Sequence, residues 1–441
     1  MASVLQSFYL LPWFLVARMM INYGLSQSFL KRFFFLITLP AVWVSIEWLR
    51  CQFTLGFPWC PLSVTQWERP IILQSLAWCG AWSLSFFLIF FNLCIGSYLH
   101  HLLVRRRLVR SGVFSSFCPD FYLGIIFFLL LLAPFFLSNN SHSERSPKEF
   151  RVGISQPYLR DKWKSENALM HKQILSRQSL LLSSMEPDLI VWPEASTPYA
   201  LNLDRQWVEA LVTKTKIPLF LGAVIKETDA SYNTVARILP DSGLDSLWYA
   251  KRILVPFGEY VPFPFRLIPG LRKIVGPVGS FAAGDHFYSL SLPLKDGDIK
   301  IGPLICYEDI FPALSRDAVD GGSEILFVAT NDAWFGEDGC AEQHAAHSVM
   351  RAVESGRAVL RCGNAGWSGW IDALGYKQEV LKDDKGSIYF QGAGIVEIST
   401  KHNRDTFYSK RGDFFPTTCL FLSVICFFVS VRQKDTFREQ G

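Results

Sequence analysis

Three segments of this 441-residue chain end in side chains able to do covalent chemistry. Leu189-Ile190-Val191-Trp192-Pro193-Glu194 is an apolar run closing on a carboxylate, and Tyr249–Tyr260 (YAKRILVPFGEY) carries Lys251. In Ile301–Asp309 (IGPLICYED) an apolar run delivers Cys306 into a polar turn. Each reactive group stands at or near an expected strand end, where α/β sheets place their sites. A thiol attacks an acyl carbonyl as the thiolate, and its ordinary pKa of about 8.5 falls beside a cation or base. Glu194 can take the thiol proton and later return it. The ammonium of Lys251 can stabilise the oxyanion of a tetrahedral intermediate. None of these residues is diagnostic alone, because an isolated Cys is usually buried and inert and lone Glu and Lys residues are usually solvated surface. The reading rests on their joint occurrence.

The elements that must position them lie between about Phe150 and Ser399, where short β-like runs alternate with polar, helix-compatible stretches. Strands are expected at Arg151–Ser155, Asp188–Trp192, Leu219–Val224, Asn233–Leu239, Lys300–Ile305, Ile325–Ala329 and Ala358–Arg361, with helices such as Lys164–Ser184 and Gln343–Ser355 between them. This alternation predicts an α/β domain of stacked sheets and helices. Val261–Ala283 breaks the pattern with Pro262, Pro264 and Pro269 among its prolines, several glycines and apolar side chains, and reads as a lid or membrane-dipping arm.

The rest of the chain is of a different kind. Half of the residues are hydrophobic, 37 are Phe, and only 19% are charged, a profile that points to membrane segments. The net charge of +4 gives no basis for a nucleic-acid partner. Five stretches approach the roughly 17–25 residues a spanning helix needs: Ser7–Tyr23, Phe33–Leu49, Leu76–Leu99, Phe121–Leu137 and Phe414–Val431. Basic residues mark the cytoplasmic side of spans. They fall at Lys31 and Arg32, at Arg105, Arg106, Arg107 and Arg110, and at Arg432, Lys434 and Arg438. All three groups are inside only if Ser138–Asp413 is outside. The expected organisation is a helical membrane region at 1–140 with about four spans, a catalytic domain at 149–400 and a last span at 414–431. This arrangement puts the N-terminus outside, although Met1–Gln6 has no basic segment and no cleavage site, so upstream spans are expected to be lacking.

The ten cysteines form no CxxC pair and no regular framework, which argues against a zinc site or a disulfide scaffold. His344 and His347, three residues apart on an expected helix, lack the carboxylate of a known ligand pattern and read as surface histidines. Ser196 lacks the GxSxG elbow of a serine hydrolase.

Taken together, WPE (192–194), YxKxxLVPFGEYVP (249–262), CYED (306–309) and NDAWFG (331–336) resemble the nitrilase, or carbon–nitrogen hydrolase, superfamily. Its Glu–Lys–Cys triad occurs in this chain order within an α-β-β-α sandwich. The fuller text, with Glu47-Trp48-Leu49-Arg50 and Gly56-Phe57-Pro58-Trp59, resembles the superfamily's membrane branch, the apolipoprotein N-acyltransferases; Cys51 stands where Gly is usual. The similarity runs from about residue 40 to the last span.

The resemblance implies a polytopic helical membrane protein of the bacterial inner membrane with an inserted nitrilase-like periplasmic domain. It makes Glu194 the general base, Lys251 the oxyanion-stabilising lysine and Cys306 the acylated nucleophile. It also places Glu259, Tyr307 and Glu308 around the site and Trp163 near the substrate entrance. The implied reaction moves an acyl chain from a membrane phospholipid, through a Cys306 thioester, to the α-amino group of an apolipoprotein's diacylglyceryl-cysteine, with no cofactor. A membrane-tethered amidase would use the same triad, with water resolving the thioester. A non-catalytic lipoprotein receptor would not need the triad intact.

Overall fold

The computed structural model describes residues 7–26, 28–52, 57–108, 118–138, 146–159, 164–268 and 281–438. The chain divides into two compact units, residues 1–140 with 411–441 and residues 141–410.

The first unit is helical: α1 (Leu11–Gly24), α2 (Phe29–Gln52), α3 (Ala81–Leu108), α4 (Pro119–Ser138) and a C-terminal helix, Phe414–Arg438. Among the described residues, three helical segments are long and apolar enough to cross a bilayer, Phe29–Gln52, Ala81–Leu103 and Pro119–Phe136. The segment expected at Ser7–Tyr23 contains a 14-residue helix, too short to span upright. In the C-terminal helix the apolar stretch is Phe414–Phe428 among the residues whose side chains are described. The expected span beginning at Leu76 starts later, because Gly80 at φ +71 ends a four-residue helix and α3 begins at Ala81.

Lipid tails are as apolar as leucine, so close packing and internal polar bonds must join such helices. Gly124 of α4 allows that approach, since a Cβ there would lie 3.2 Å from the Cys94 Cβ of α3. Phe90 and Phe127 pack with ring centroids 4.7 Å apart. Arg32 of α2 donates from Nε to the fully buried Asp120 at 2.7 Å, and the Ser97 hydroxyl of α3 donates to the same carboxylate. One carboxylate thus ties three helices.

The second unit consists of two sheets packed face to face. One has the strand order β13-β1-β2-β3-β4-β5, with β6 also pairing β4. Its strands are β1 (Glu149–Gln156), β2 (Leu189–Trp192), β3 (Leu219–Lys226), β4 (Ser231–Leu239), β5 (Gly243–Leu244), β6 (Tyr249–Ala250) and β13 (Gly392–Ser399). The other has the order β12-β11-β10-β9-β8-β7. It is made of β7 (Leu290–Leu292), β8 (Ile299–Ile305), β9 (Ile325–Thr330), β10 (Ala358–Gly363), β11 (Gly369–Ile371) and β12 (Lys377–Val380). Each sheet is parallel in its middle, β1-β2-β3 and β8-β9-β10, and antiparallel at its margins.

Period-two alternation sorts the side chains. Leu189 and Val191 of β2 face the inter-sheet core with Phe220, Ile301, Ile305, Ile325 and Phe327. Ile190 and Trp192 face the other way, onto Leu175 and Leu182 of α5 (Ala168–Ser183) and Val208 and Leu211 of α6 (Gln206–Thr215). On the second sheet's outer face, Gly302 lets α7 (Pro312–Asp320) approach, since a Cβ there would meet the Ala318 Cβ at 2.9 Å. Beside α7, almost every residue of α8 (Cys340–Ser355) is buried. The α-β-β-α order and the expected strands are present, each within two residues of its expected ends. The short strands β5, β6, β7, β11 and β12, the strand β13, and helices α6 and α7 were not anticipated.

Asp120→Ala removes the carboxylate that meets the partly buried Arg32; breaking a fully buried pair costs about 3–5 kcal/mol, and the partial exposure of Arg32 makes the loss smaller. Detergent-solubilised protein should therefore show a helical unit that unfolds at clearly lower denaturant than wild type, with the unfolding of the α/β unit unchanged.

Candidate active site

Glu194 stands two residues past the end of β2, after Pro193, and is buried. The chain turns sharply behind it: Ala195 has φ +44, and both the amide and the hydroxyl of Ser196 donate to the Gly222 carbonyl. Gly222 on β3 has to be glycine, because a Cβ there would come within 2.5 Å of the Glu194 Cα and the Pro193 oxygen.

Lys251 follows β6, is 1% exposed, and meets two carboxylates. Its Nζ lies 2.9 Å from Glu259 Oε1 and 3.4 Å from Glu194 Oε1. Asn233 of β4 donates from Nδ2 to the same two atoms, at 2.8 Å to Glu194 and 3.0 Å to Glu259. The Asn233 carbonyl accepts from the Lys251 amide at 2.8 Å, so one residue sets the lysine backbone and both of its counter-ions. Burial works to lower the Lys251 pKa, but the fields of Glu259 and Glu194 overcome it and hold the amine well above its usual value. Lys251 is therefore an ammonium.

Cys306 follows β8 at φ +50, in the left-handed region a β-carbon disfavours, and opens the turn Cys306–Ile310. It keeps partial exposure. Burial and the Glu194 carboxylate push its thiol well above the usual range, against the field of Lys251 and a hydrogen bond with Thr330. The resting thiol is thus protonated, and a base must remove its proton during reaction.

Glu308 is fully buried and spans the two sheets. Its Oε1 accepts from the Tyr249 hydroxyl (2.9 Å) and the amides of Arg252 (2.6 Å) and Ile253 (3.2 Å), on the Lys251 side. Its Oε2 accepts from the Ile305 amide at 2.8 Å, beside Cys306. Burial raises its pKa to about 7 despite these donors.

On the other side of Cys306 lies a second charged cluster. Arg361 of β10 is wholly buried, with Nη1 2.6 Å from Asp309 Oδ2 and Nη2 3.2 Å from Asp332 Oδ2. His344 of α8 has Nδ1 2.7 Å from Asp332 Oδ1, and Nε2 2.8 Å from Asp309 Oδ1 and 3.1 Å from the Cys306 carbonyl oxygen. The expectation of surface histidines is overturned, since His344 and His347 are each 1% exposed. No local cue marks this: Ala345, Ala346, Val349, Met350, Ala352 and Val353 form one face of α8, while His344, His347, Ser348, Arg351 and Glu354 share the opposite, polar face, the pattern of a helix with one side in water.

Potential metal ligands of Cys306, Asp332 and His344 lie within 4.8 Å of one another. Both His344 nitrogens already face carboxylates, and Arg361 and Lys251 add positive charge nearby, so the group does not suit a metal cation. Of the other expected residues, Tyr307 is buried with its ring edge-on to Phe311 at 5.1 Å. Trp163 and residues 269–280 of the apolar loop lie outside the described residues. Sequence reading missed Asn233, Asp332, His344 and Arg361 as parts of the site.

The His344 pKa rises to about 9 from the usual 6.5, because Asp309 and Asp332 outweigh burial and the Arg361 charge. Protonation of His344 therefore stabilises the fold fully below about pH 6.5, and this is lost as pH rises through about 9. Glu308 adds a separate loss of the same sign between about pH 4.5 and 7. The unfolding midpoint of the α/β unit should decline from pH 6.5 to 9, and the double variant His344→Gln/Asp332→Asn should lack that upper slope in thermal melts.

With this geometry in hand, comparison with known proteins is direct. The family model described as Carbon-nitrogen hydrolase matches residues 152–395, more than half of the chain and including Glu194, Lys251 and Cys306. The one described as Apolipoprotein N-acyltransferase N-terminal domain matches residues 1–94. The Apolipoprotein N-acyltransferase of Geobacter metallireducens is 28% identical over 420 residues, covering 92% of this chain and 76% of that one. Its counterpart in Allorhizobium ampelinum is 30% identical over 428 residues, covering 92% and 75%. A solved CN-hydrolase superfamily protein from Xanthomonas campestris is 17% identical, with a TM-score of 0.45, covering 61% of this chain and 98% of that one. The two N-acyltransferases match across both units, and the chain belongs to the apolipoprotein N-acyltransferases of the carbon–nitrogen hydrolase superfamily.

Proposed function

We propose that this protein transfers a fatty acyl chain from a membrane phospholipid, by way of a thioester on Cys306, to the α-amino group of the N-terminal diacylglyceryl-cysteine of apolipoproteins. The observation that carries the reading is the buried Lys251 ammonium shared between Glu194 and Glu259, acting on the thiol at the end of β8. Membership in a family named for apolipoprotein N-acylation selects an amine rather than water as the final acceptor.

Glu194 takes the Cys306 proton as the sulfur attacks the ester carbonyl, and Lys251 faces the oxyanion. Collapse breaks the C–O bond, and the leaving alkoxide takes the proton from Glu194 to depart as lysophospholipid. The acceptor amine then attacks the thioester and yields its proton to Glu194. The amide forms, the C–S bond breaks, and the thiolate recovers the proton. Glu259 holds Lys251 in place, and through its Oε2 also accepts from the Val255 amide at 2.8 Å. Glu308 ties the Lys251 segment to the Cys306 turn, and Tyr307 buttresses that turn.

Apolar side chains exposed in the first part of the loop, Phe263, Leu267 and Ile268, suit contact with acyl chains and exclusion of water from the thioester. Trp163 is assigned to the substrate entrance by family resemblance. The basic flanks of the apolar helices favour a bacterial inner-membrane protein with its α/β unit on the periplasmic side.

Incubation with labelled phospholipid and no acceptor should leave a hydroxylamine-sensitive acyl group on Cys306. Lys251→Ala and Glu194→Gln should each cut the labelling rate by about 10²-fold or more, the usual scale for removing an oxyanion donor or general base. A folded wild-type protein that takes no label would end the proposal. In spheroplasts, a membrane-impermeant thiol reagent should modify a cysteine introduced at exposed Lys382; protection until the membrane is broken would put the α/β unit on the inner side.

A further inference from the structure

The buried cluster behind the nucleophile has a chemical asymmetry. His344 presents Nδ1 to Asp332 Oδ1 at 2.7 Å, and Nε2 to Asp309 Oδ1 at 2.8 Å and the Cys306 carbonyl at 3.1 Å. All three partners are hydrogen-bond acceptors, since Asp309 and Asp332 are both held below the usual carboxylate range: burial opposes this, but His344 and Arg361 prevail. A neutral imidazole carries one N–H, so its second nitrogen would aim a lone pair at a carboxylate. Both nitrogens must therefore carry hydrogen.

The surroundings accommodate that charge. Asp309 comes from the Cys306–Ile310 turn, Asp332 from the turn after β9, Arg361 from β10, and His347 and Ser348 from α8. Ser348 donates to Asp309 Oδ2 at 2.5 Å, and His347 also acts to lower the Asp309 pKa. The two carboxylates match the charges of Arg361 and a protonated His344, so none of the four is left buried without a counter-charge.

We infer that His344, as an imidazolium clamped between Asp309 and Asp332, is a positioning residue that donates to the Cys306 carbonyl and fixes the left-handed turn aiming the thiol. A residue other than glycine persists at φ +50 only where its surroundings over-determine it. Here Glu308 grips the Ile305 amide just before the turn, and His344 grips the Cys306 carbonyl just after it. Because the peptide unit is planar and trans, fixing that carbonyl also sets the direction of the Tyr307 N–H. The inference builds on the reading of Cys306 as nucleophile.

The test compares two charge-balanced double variants of the full chain, His344→Gln/Asp332→Asn and His344→Met/Asp332→Asn. Each loses one positive and one negative charge, but only glutamine retains an N–H for the Cys306 carbonyl. The readout is the rate and pH profile of Cys306 alkylation by iodoacetamide, followed by mass spectrometry of its peptide, beside the unfolding midpoint. The glutamine pair should stay within about threefold of wild type, and the methionine pair should be on the order of tenfold slower at an equal unfolding midpoint. Equal rates in the two pairs would overturn the inference. Should the methionine pair not fold, ¹⁵N-histidine spectra of wild type decide, with His344 assigned by the signal missing from the glutamine pair. Two protonated nitrogens at pH 7.5 support the imidazolium, and a neutral tautomer refutes it. Alkylation needs no acyl donor, so wild type that fails to take acyl label while the two pairs still differ would remove the acyl-transfer reading and leave the positioning role standing.

Discussion

An ammonium group cannot leave water without carboxylates to meet it, and in the α/β unit this requirement falls on Lys251. Its two counter-ions come from different parts of the chain, Glu194 after β2 and Glu259 eight residues downstream of the lysine. Asn233 ties them from β4, and the paired sheet strands bring these segments to one place. Were the strands to slip by one residue, every side chain would change face and the lysine would be left unpaired. Strand register and site charge are one constraint.

The same logic recurs on the other side of the thiol. Arg361, Asp309, Asp332 and His344 form a second cluster of buried charges, which meets the Cys306 carbonyl through His344. Cys306 thus sits between a cluster that can take part in proton transfer and one whose charges are locked. Glu308 links the first side to the turn by accepting from both sheets. Its raised pKa and that of the Cys306 thiol have the same first cause, removal from water. In the proposed reaction, the burial that raises the thiol pKa would also shield a thioester from hydrolysis.

The helical unit solves a different problem with similar means. With no hydrophobic gain between helices in lipid, it relies on a close glycine contact, aromatic packing and the Arg32–Asp120 pair. Glu47 accepts from the Leu62 amide at 2.7 Å, and Trp48 donates to Asp413 at 3.1 Å, anchoring the end of α2 to the following segment and to the start of the C-terminal helix.

Much of this was legible in the residue order. Apolar runs such as Leu189–Trp192 and Ile299–Ile305 declare strands through composition and period, and Glu194 and Cys306 follow within two residues of their ends. The helices of the membrane unit declare themselves by length and apolarity, which are local properties. The two-residue strands β5 and β6 carry no such pattern, because they exist only as partners of β4. His344 and Arg361 were beyond reach for a related reason. A histidine on a helix looks the same whether it faces water or two carboxylates, and Asp309, Asp332 and Arg361 converge on it from three separate elements. Local sequence determined which residues could react and which segments could form strands or spans. Only the packing of two sheets and α8 decided which buried charges would meet, because pairing across a core depends on spatial neighbours rather than neighbours in the chain.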